Sequence, residues 1–157
     1  MRLTWFAILA LLACLMQHGP LATWWWAPDL SLALAAWAMV DGDEDGVPLR
    51  AALVGLLRDL VDPGSTCFYV LVLGGAGLAF LLLRPLLFRS RWMAWWLWAA
   101  ALTTVVSLID LAVSGPGDLR LSGIPVLASG TGVLAIAIGW LLGGLPGWLR
   151  PIARAGA

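Results

Sequence analysis

The chain has no lysine: its nine basic residues are all arginine, balanced by nine acidic ones to a formal net charge of zero. No basic face for nucleic acid is therefore available. Histidine and tyrosine occur once each, and cysteine twice. A single histidine, His18, excludes His-rich metal centres and leaves little for a serine or cysteine triad. Cys14 and Cys67 follow no metal or redox spacing and read as inert thiols at apolar positions. Charged residues make up 11% of the chain, against about 25% in a soluble domain, which is too few to coat a water-facing surface. Apolar residues fill the gap, at 62% with eleven tryptophans and a mean hydropathy of +0.94. At 157 residues this is one domain whose expected solvent is the bilayer, with indoles anchored at its interfaces.

Six apolar runs are expected to be helices, over residues 3–17, 28–40, 48–61, 66–88, 92–113 and 124–145. The expected fold is an all-α polytopic membrane protein, a single integral membrane domain over 1–157 built as a bundle of about six short transmembrane helices. Each break has a chemical cause: Gln17-His18-Gly19-Pro20, the acidic stretch Asp41 to Gly46, Asp62-Pro63-Gly64-Ser65 and Gly115-Pro116-Gly117. Pro28-Asp29 opens the second run, with proline suited to a first helical turn and aspartate to capping. The third run reaches only about 21 Å as a helix, short of a hydrocarbon core of about 30 Å. It therefore tilts, thins the bilayer or is partly re-entrant, and five spans is the competing count. Arginine placement favours both termini on the cytoplasmic side: Arg2, Arg50, Arg84/Arg89/Arg91 and Arg150/Arg154 obey the rule, and only Arg58 and Arg120 oppose it. Arg2 with Leu11-Leu12-Ala13-Cys14 imitates a lipoprotein signal, but an embedded chain needs no lipid anchor, so a retained first helix is expected.

Without a hydrophobic force between helices in lipid, small residues and buried polar groups mark the contacts. Ala128, Gly132, Ala135, Gly139 and Gly143 form one stripe of the sixth helix. In the fifth, Ala99, Thr103, Ser107 and Asp110 should face the bundle, and Trp98, Leu102, Val105 and Ile109 lipid. In the third, Ala52, Gly55 and Asp59 should face inward, opposite Leu53, Leu57 and Leu60. Gly74, Gly75 and Gly77 thin the fourth. Arg58, Asp59 and Asp110 are costly in an apolar setting. They lie towards helix ends, where they snorkel or pair, and the two aspartates are placed to share Arg58 as counter-ion.

Asp41-Gly42-Asp43-Glu44-Asp45-Gly46 reads as half a calcium loop, because the twelfth position, which needs a bidentate glutamate, is Ala52. An acidic solvated turn is the expectation, with no metal and no cofactor. Gly74-Gly75-Ala76-Gly77 sits inside an apolar helix with no strand before it and is no phosphate loop. No catalytic set emerges, and an enzyme is not expected. Trp24-Trp25-Trp26 should lie in the outer headgroup layer, as belt anchors or as an aromatic docking patch.

Pro28-Asp29-Leu30-Ser31-Leu32, then Gly55-Leu56-Leu57-Arg58-Asp59-Leu60-Val61, then Phe68-Tyr69-Val70-Leu71 resembles the rod shape-determining protein MreD family. That family shows a P-D before a leucine-rich helix, a G-L-x-x-D-L run, a short turn, and an apolar helix ending in basic residues, here Arg84, Arg89 and Arg91. The resemblance covers residues 28–91 and departs at Ser65-Thr66-Cys67 and in the acidic 41–46 loop. It implies a bacterial inner-membrane scaffold of the cell-wall elongation complex, with MreC as its foremost partner, alongside MreB, RodA, a penicillin-binding transpeptidase and membrane lipid. Pro28, Asp29, Gly55, Arg58, Asp59, Asp110, Gly139, Gly143 and Trp24–Trp26 are then the residues expected to pack the bundle or bind partners. The family fold is also similar to the substrate-binding subunits of vitamin transporters, so a membrane subunit that captures a small molecule is the rival reading.

Overall fold

The structure, a computed structural model, describes residues 3–21, 23–24, 27–42, 44–62, 67–87, 91–114 and 121–143. Each of the six apolar runs is a helix: α1 (Leu3–His18), α2 (Leu30–Asp41), α3 (Val47–Val61), α4 (Phe68–Leu87), α5 (Arg91–Ser114) and α6 (Ile124–Gly143). Short 3-10 turns at Glu44–Gly46 and Leu121–Gly123 lead into α3 and α6, and there is no strand among the described residues. Two stretches, Trp92–Ala112 and Ile124–Leu142, are long and apolar enough to cross a membrane. Shorter apolar stretches are Leu3–His18, Leu30–Asp41 and Phe68–Arg84.

The arrangement follows from α2. It is apolar around its whole circumference, and such a helix must be enclosed. Every residue from Ser31 to Val40 is buried, and α2 touches α1, α3, α4, α5 and α6. Alanines at 33, 35, 36 and 38, all fully buried, let the surrounding helices close in. Around this axis α3 packs most extensively on α4, and α5 on α6. The outer helices turn large apolar side chains outward, including Trp5 and Ile8 of α1, Leu60 of α3, Leu71 and Leu82 of α4, Val105 of α5, and Val133 and Leu141 of α6. None on α2 is exposed.

Glycines set the close approaches. A Cβ on Gly77 would stand 3.1 Å from Ala51 Cβ and from Pro48 Cα of α3. On α6 the stripe Ala128, Gly132, Ala135 and Gly139 is buried as expected, and its occupant is this chain's own α5. A Cβ at Gly132 would lie 2.6 Å from the Trp96 ring, and one at Gly139 2.6 Å from that of Trp95. The stripe is filled by tryptophan, so it does not await a partner. Gly143 closes α6 beyond that contact.

Several facing assignments need correction. Leu102 is buried, and Trp98 packs against the core, its indole N–H donating to Met39 Sδ at 2.7 Å. Leu53 and Leu57 also pack on the core. The reason is shared: α5 touches both α2 and α6, and α3 touches α1, α2 and α4. Each helix has protein neighbours on more than one side, and a two-faced division of the helix fails. Val105 and Leu60 remain outward, and Ala99, Thr103 and Ser107 inward, as expected.

The glycine contacts give a direct test. Gly139→Leu drives a branched side chain into the Trp95 ring and should lower stability by about 1–3 kcal/mol. Gly75, where a Cβ would meet nothing within 4 Å, should accept alanine with no loss or a gain of up to about 1 kcal/mol from helix propensity. Thermal unfolding of the purified variants reads both.

Candidate functional site at the head of the central helix

The N-terminus of α2 leaves backbone N–H groups that the helix cannot satisfy itself. Three neighbours supply acceptors. Asp29 is the N-cap, its Oδ1 accepting from Leu32 N at 3.0 Å. Gln17 Oε1 at the end of α1 accepts from Leu30 N at 3.0 Å. Thr131 Oγ1 of α6 accepts from Asp29 N at 3.0 Å while donating to Leu127 O at 2.8 Å. Pro28 precedes the cap instead of occupying the first turn, a correction to the expected helix start. Its ring lies against Gly130, where a Cβ would be 3.2 Å from Pro28 Cγ.

Arg58, in the last turn of α3, reaches into this cluster. Its Nη1 donates to Asp29 Oδ2 at 2.5 Å and to Ser31 Oγ at 2.8 Å, while Ser31 Oγ donates to Asp29 Oδ1 at 2.7 Å. The guanidinium carbon sits 4.1 Å from the centre of the Tyr69 ring, a cation–π contact. Arg58 is 7% exposed, so it pairs instead of snorkelling. Its Nε is buried without a hydrogen-bond partner among the described residues.

The sequence places Asp59 and Asp110 to share Arg58 as counter-ion, whereas the carboxylate that pairs with it is that of Asp29. Asp59, the next residue, caps α4 from outside: Oδ1 accepts from Tyr69 N at 3.0 Å and Oδ2 from Val70 N at 2.9 Å. The carboxylate meets a helix N-terminus, where negative charge is stabilised. Gly55, one turn earlier, makes that approach feasible, because a Cβ there would collide with the Tyr69 and Val70 backbone. The three residues thus have complementary roles, in which Gly55 admits α4, Asp59 fastens it, and Arg58 fastens α2. Asp110 of α5 accepts a long hydrogen bond, 3.5 Å, from the Tyr69 hydroxyl.

Ser31, Tyr69, Thr131 and Gln17 belong to this cluster although the sequence did not single them out for it. The chain's one tyrosine, set among many tryptophans, was the available signal. Thr131 was hidden inside a run of small residues, and nothing marked Gln17.

The remaining expected sites fall elsewhere. Trp24 is exposed near the turn after α1, whereas Trp25 and Trp26 lie outside the described residues. His18 ends α1 and is exposed, Cys14 is buried and Cys67 exposed. At the opposite end the guanidinium of Arg50 overlies the acidic turn, 3.3 Å from a Cβ placed on Gly42 and 3.7 Å from one on Gly46. No group of three or more metal-ligating side chains occurs among the described residues; Asp43 is not among them.

No family model, curated protein or solved structure matches the chain.

Removing the external cap should be costly. Asp59→Ala leaves two α4 N–H groups without their acceptor and should lose about 1–2 kcal/mol, whereas Asp59→Asn, which keeps one acceptor oxygen, should lose less. Chemical unfolding of the two variants beside the parent checks the order.

Proposed function

We infer that this protein is a multi-pass membrane scaffold of the bacterial cell-wall elongation machinery, similar to the MreD family, with MreC as its principal partner. One observation carries the reading. The two separated segments that resemble the family, Pro28-Asp29 and Gly55 to Val61, come together through the Asp29–Arg58 ion pair. Residues that look unrelated in sequence thus form one fastening of α2, α3 and α4.

The membrane part of the reading rests on the outward leucines and tryptophans of the five outer helices. Contiguous exposed apolar surface on that scale is rare on a soluble monomer. α2, about 18 Å long, is enclosed by protein and has no need to match the bilayer thickness. On this reading all six helices belong to the embedded bundle. Arg50 and Arg84 lie at the end opposite Asp29, which agrees with a cytoplasmic placement of that end and of both termini.

A subunit that captures a small ligand needs polar groups turned towards that ligand. Here they are turned towards the fold. Asp29, Ser31 and Arg58 bind one another, Asp59 and Gln17 cap helices, and Thr103, Thr104 and Thr131 donate to carbonyls of their own helices. A scaffold has use for that rigidity. With the α6 stripe filled by tryptophan, the outward apolar faces of the five outer helices are the surfaces that would receive a single-span partner.

Co-purification separates scaffold from transporter. The detergent-solubilised protein, co-expressed with the MreC encoded by the same genome, should retain it through size exclusion. Failure to retain it, together with tight binding of a small vitamin by the protein alone, contradicts the scaffold.

A further inference from the structure

The outer helices differ in apolar length according to the flank they occupy. α1 and α3 pack side by side, as do α5 and α6. The outward apolar face of α1 runs from Leu3 to Met16, and that of α3 from Leu49 to Leu60, about 21 and 18 Å of helix. On the other flank the apolar stretches Trp92–Ala112 of α5 and Ile124–Leu142 of α6 reach about 31 and 28 Å. Cut short at Asp110, the α5 stretch still spans about 27 Å.

The difference is a step in height, because side-chain and backbone contacts fix the levels of the helices. Gln17 of α1, Arg58 of α3 and Thr131 of α6 are all fastened to the head of α2. From that level α6 runs on to Ile124, about 10 Å further, with Val126 exposed. At the opposite end Pro48 of α3 meets Gly77 of α4. α4 continues past that contact to Leu87, about 15 Å, with Leu78 and Leu82 exposed. Indoles mark both ends of α1. Trp5 is 63% exposed, and Trp24, in the turn after the helix, 55%; such side chains settle at membrane interfaces.

We propose that the α1–α3 flank is a thin-bilayer face, which draws the two leaflets together to about 20 Å and gathers phospholipids with short acyl chains. This rests on the membrane-embedded reading above. A hydrocarbon core about 30 Å thick overhangs a face of this length. Tilting accommodates only a helix that is too long; around one that is too short the bilayer thins or helices associate. Sliding along the bundle is prevented, since Gln17 and Arg58 tie α1 and α3 to the same helix head. Association with a further helix is disfavoured by the side chains themselves. Between Trp5 and Met16 every exposed residue of α1 is Trp, Ile, Leu or Met, with none of the small residues that let a second backbone approach. Flexible acyl chains cover such a surface without that requirement.

The test uses the full chain in vesicles of equal parts dimyristoleoyl and dierucoyl phosphatidylcholine, which share a headgroup and differ in chain length. A photoreactive benzophenone side chain is introduced at Leu11 of α1 or at Val133 of α6, both exposed, and lipid adducts are counted by mass spectrometry. The ratio of short-chain to long-chain adducts should be about threefold or more higher at Leu11 than at Val133, because the cost of mismatch accumulates with each ångström. Equal ratios at the two sites, or crosslinking of Leu11 to a second copy of the chain in place of lipid, overturn the proposal. Should either probe prevent folding, Leu56 of α3 and Val105 of α5, also exposed, give the same comparison. MreC capture with equal ratios refutes only the thin face, whereas unequal ratios without MreC capture count against the scaffold alone. Absence of lipid adducts at all of these positions refutes the thin face together with the membrane reading.

Discussion

The ion pair between Asp29 and Arg58 is the interaction on which the rest of the bundle depends. The helix it heads is a cylinder of leucine, alanine and a few larger apolar residues, and apolar packing alone gives such a cylinder little to define its rotation or its height. A buried pair does define them, because sliding or turning α2 would leave a guanidinium without its carboxylate. Losing one partner of a buried pair typically costs about 3–5 kcal/mol, a large part of the stability of a single domain. The desolvation of the two charges is offset by short hydrogen bonds to each other and to Ser31, and by the Tyr69 ring.

Size complementarity supplies what the pair does not. α2 contributes alanines, α6 contributes glycines, and α5 answers with tryptophans whose rings occupy the space the glycines leave. Fastening at the head and close packing along the length are therefore separate devices. The first sets register and the second sets distance. Between α4 and α5 the backbones stay further apart, and Tyr69 with Asp110 and Phe80 with Trp98 make side-chain contacts across the gap.

Helix positions were legible in the sequence because breakers with obvious chemistry separate most of the apolar runs, and the ends of all six helices lie within two residues of the expected positions. The cap at Asp29 was legible for the same reason: its function is local. The partners of Arg58 and Asp59 were not, since adjacent residues on a helix diverge by about 100° and their fates depend on which helices lie on either side of α3. The outward placement of Trp98 and Leu102 failed on related grounds. A two-faced pattern is meaningful for a helix with one protein neighbour, and α5 has several. Ser31 and Thr131 were unreadable as site residues because small hydroxyls in apolar helices more often bond their own backbone, which Thr131 does as well.

The central claim is that Asp29 and Arg58 act as one unit, and a double-mutant cycle measures it most directly. Unfolding free energies are compared for the parent, Asp29→Asn, Arg58→Met and the double variant; asparagine keeps the helix cap while removing the charge. Each single change should be strongly destabilising and the double variant no worse than the poorer single, a coupling of about 2 kcal/mol or more. Additive losses would contradict it.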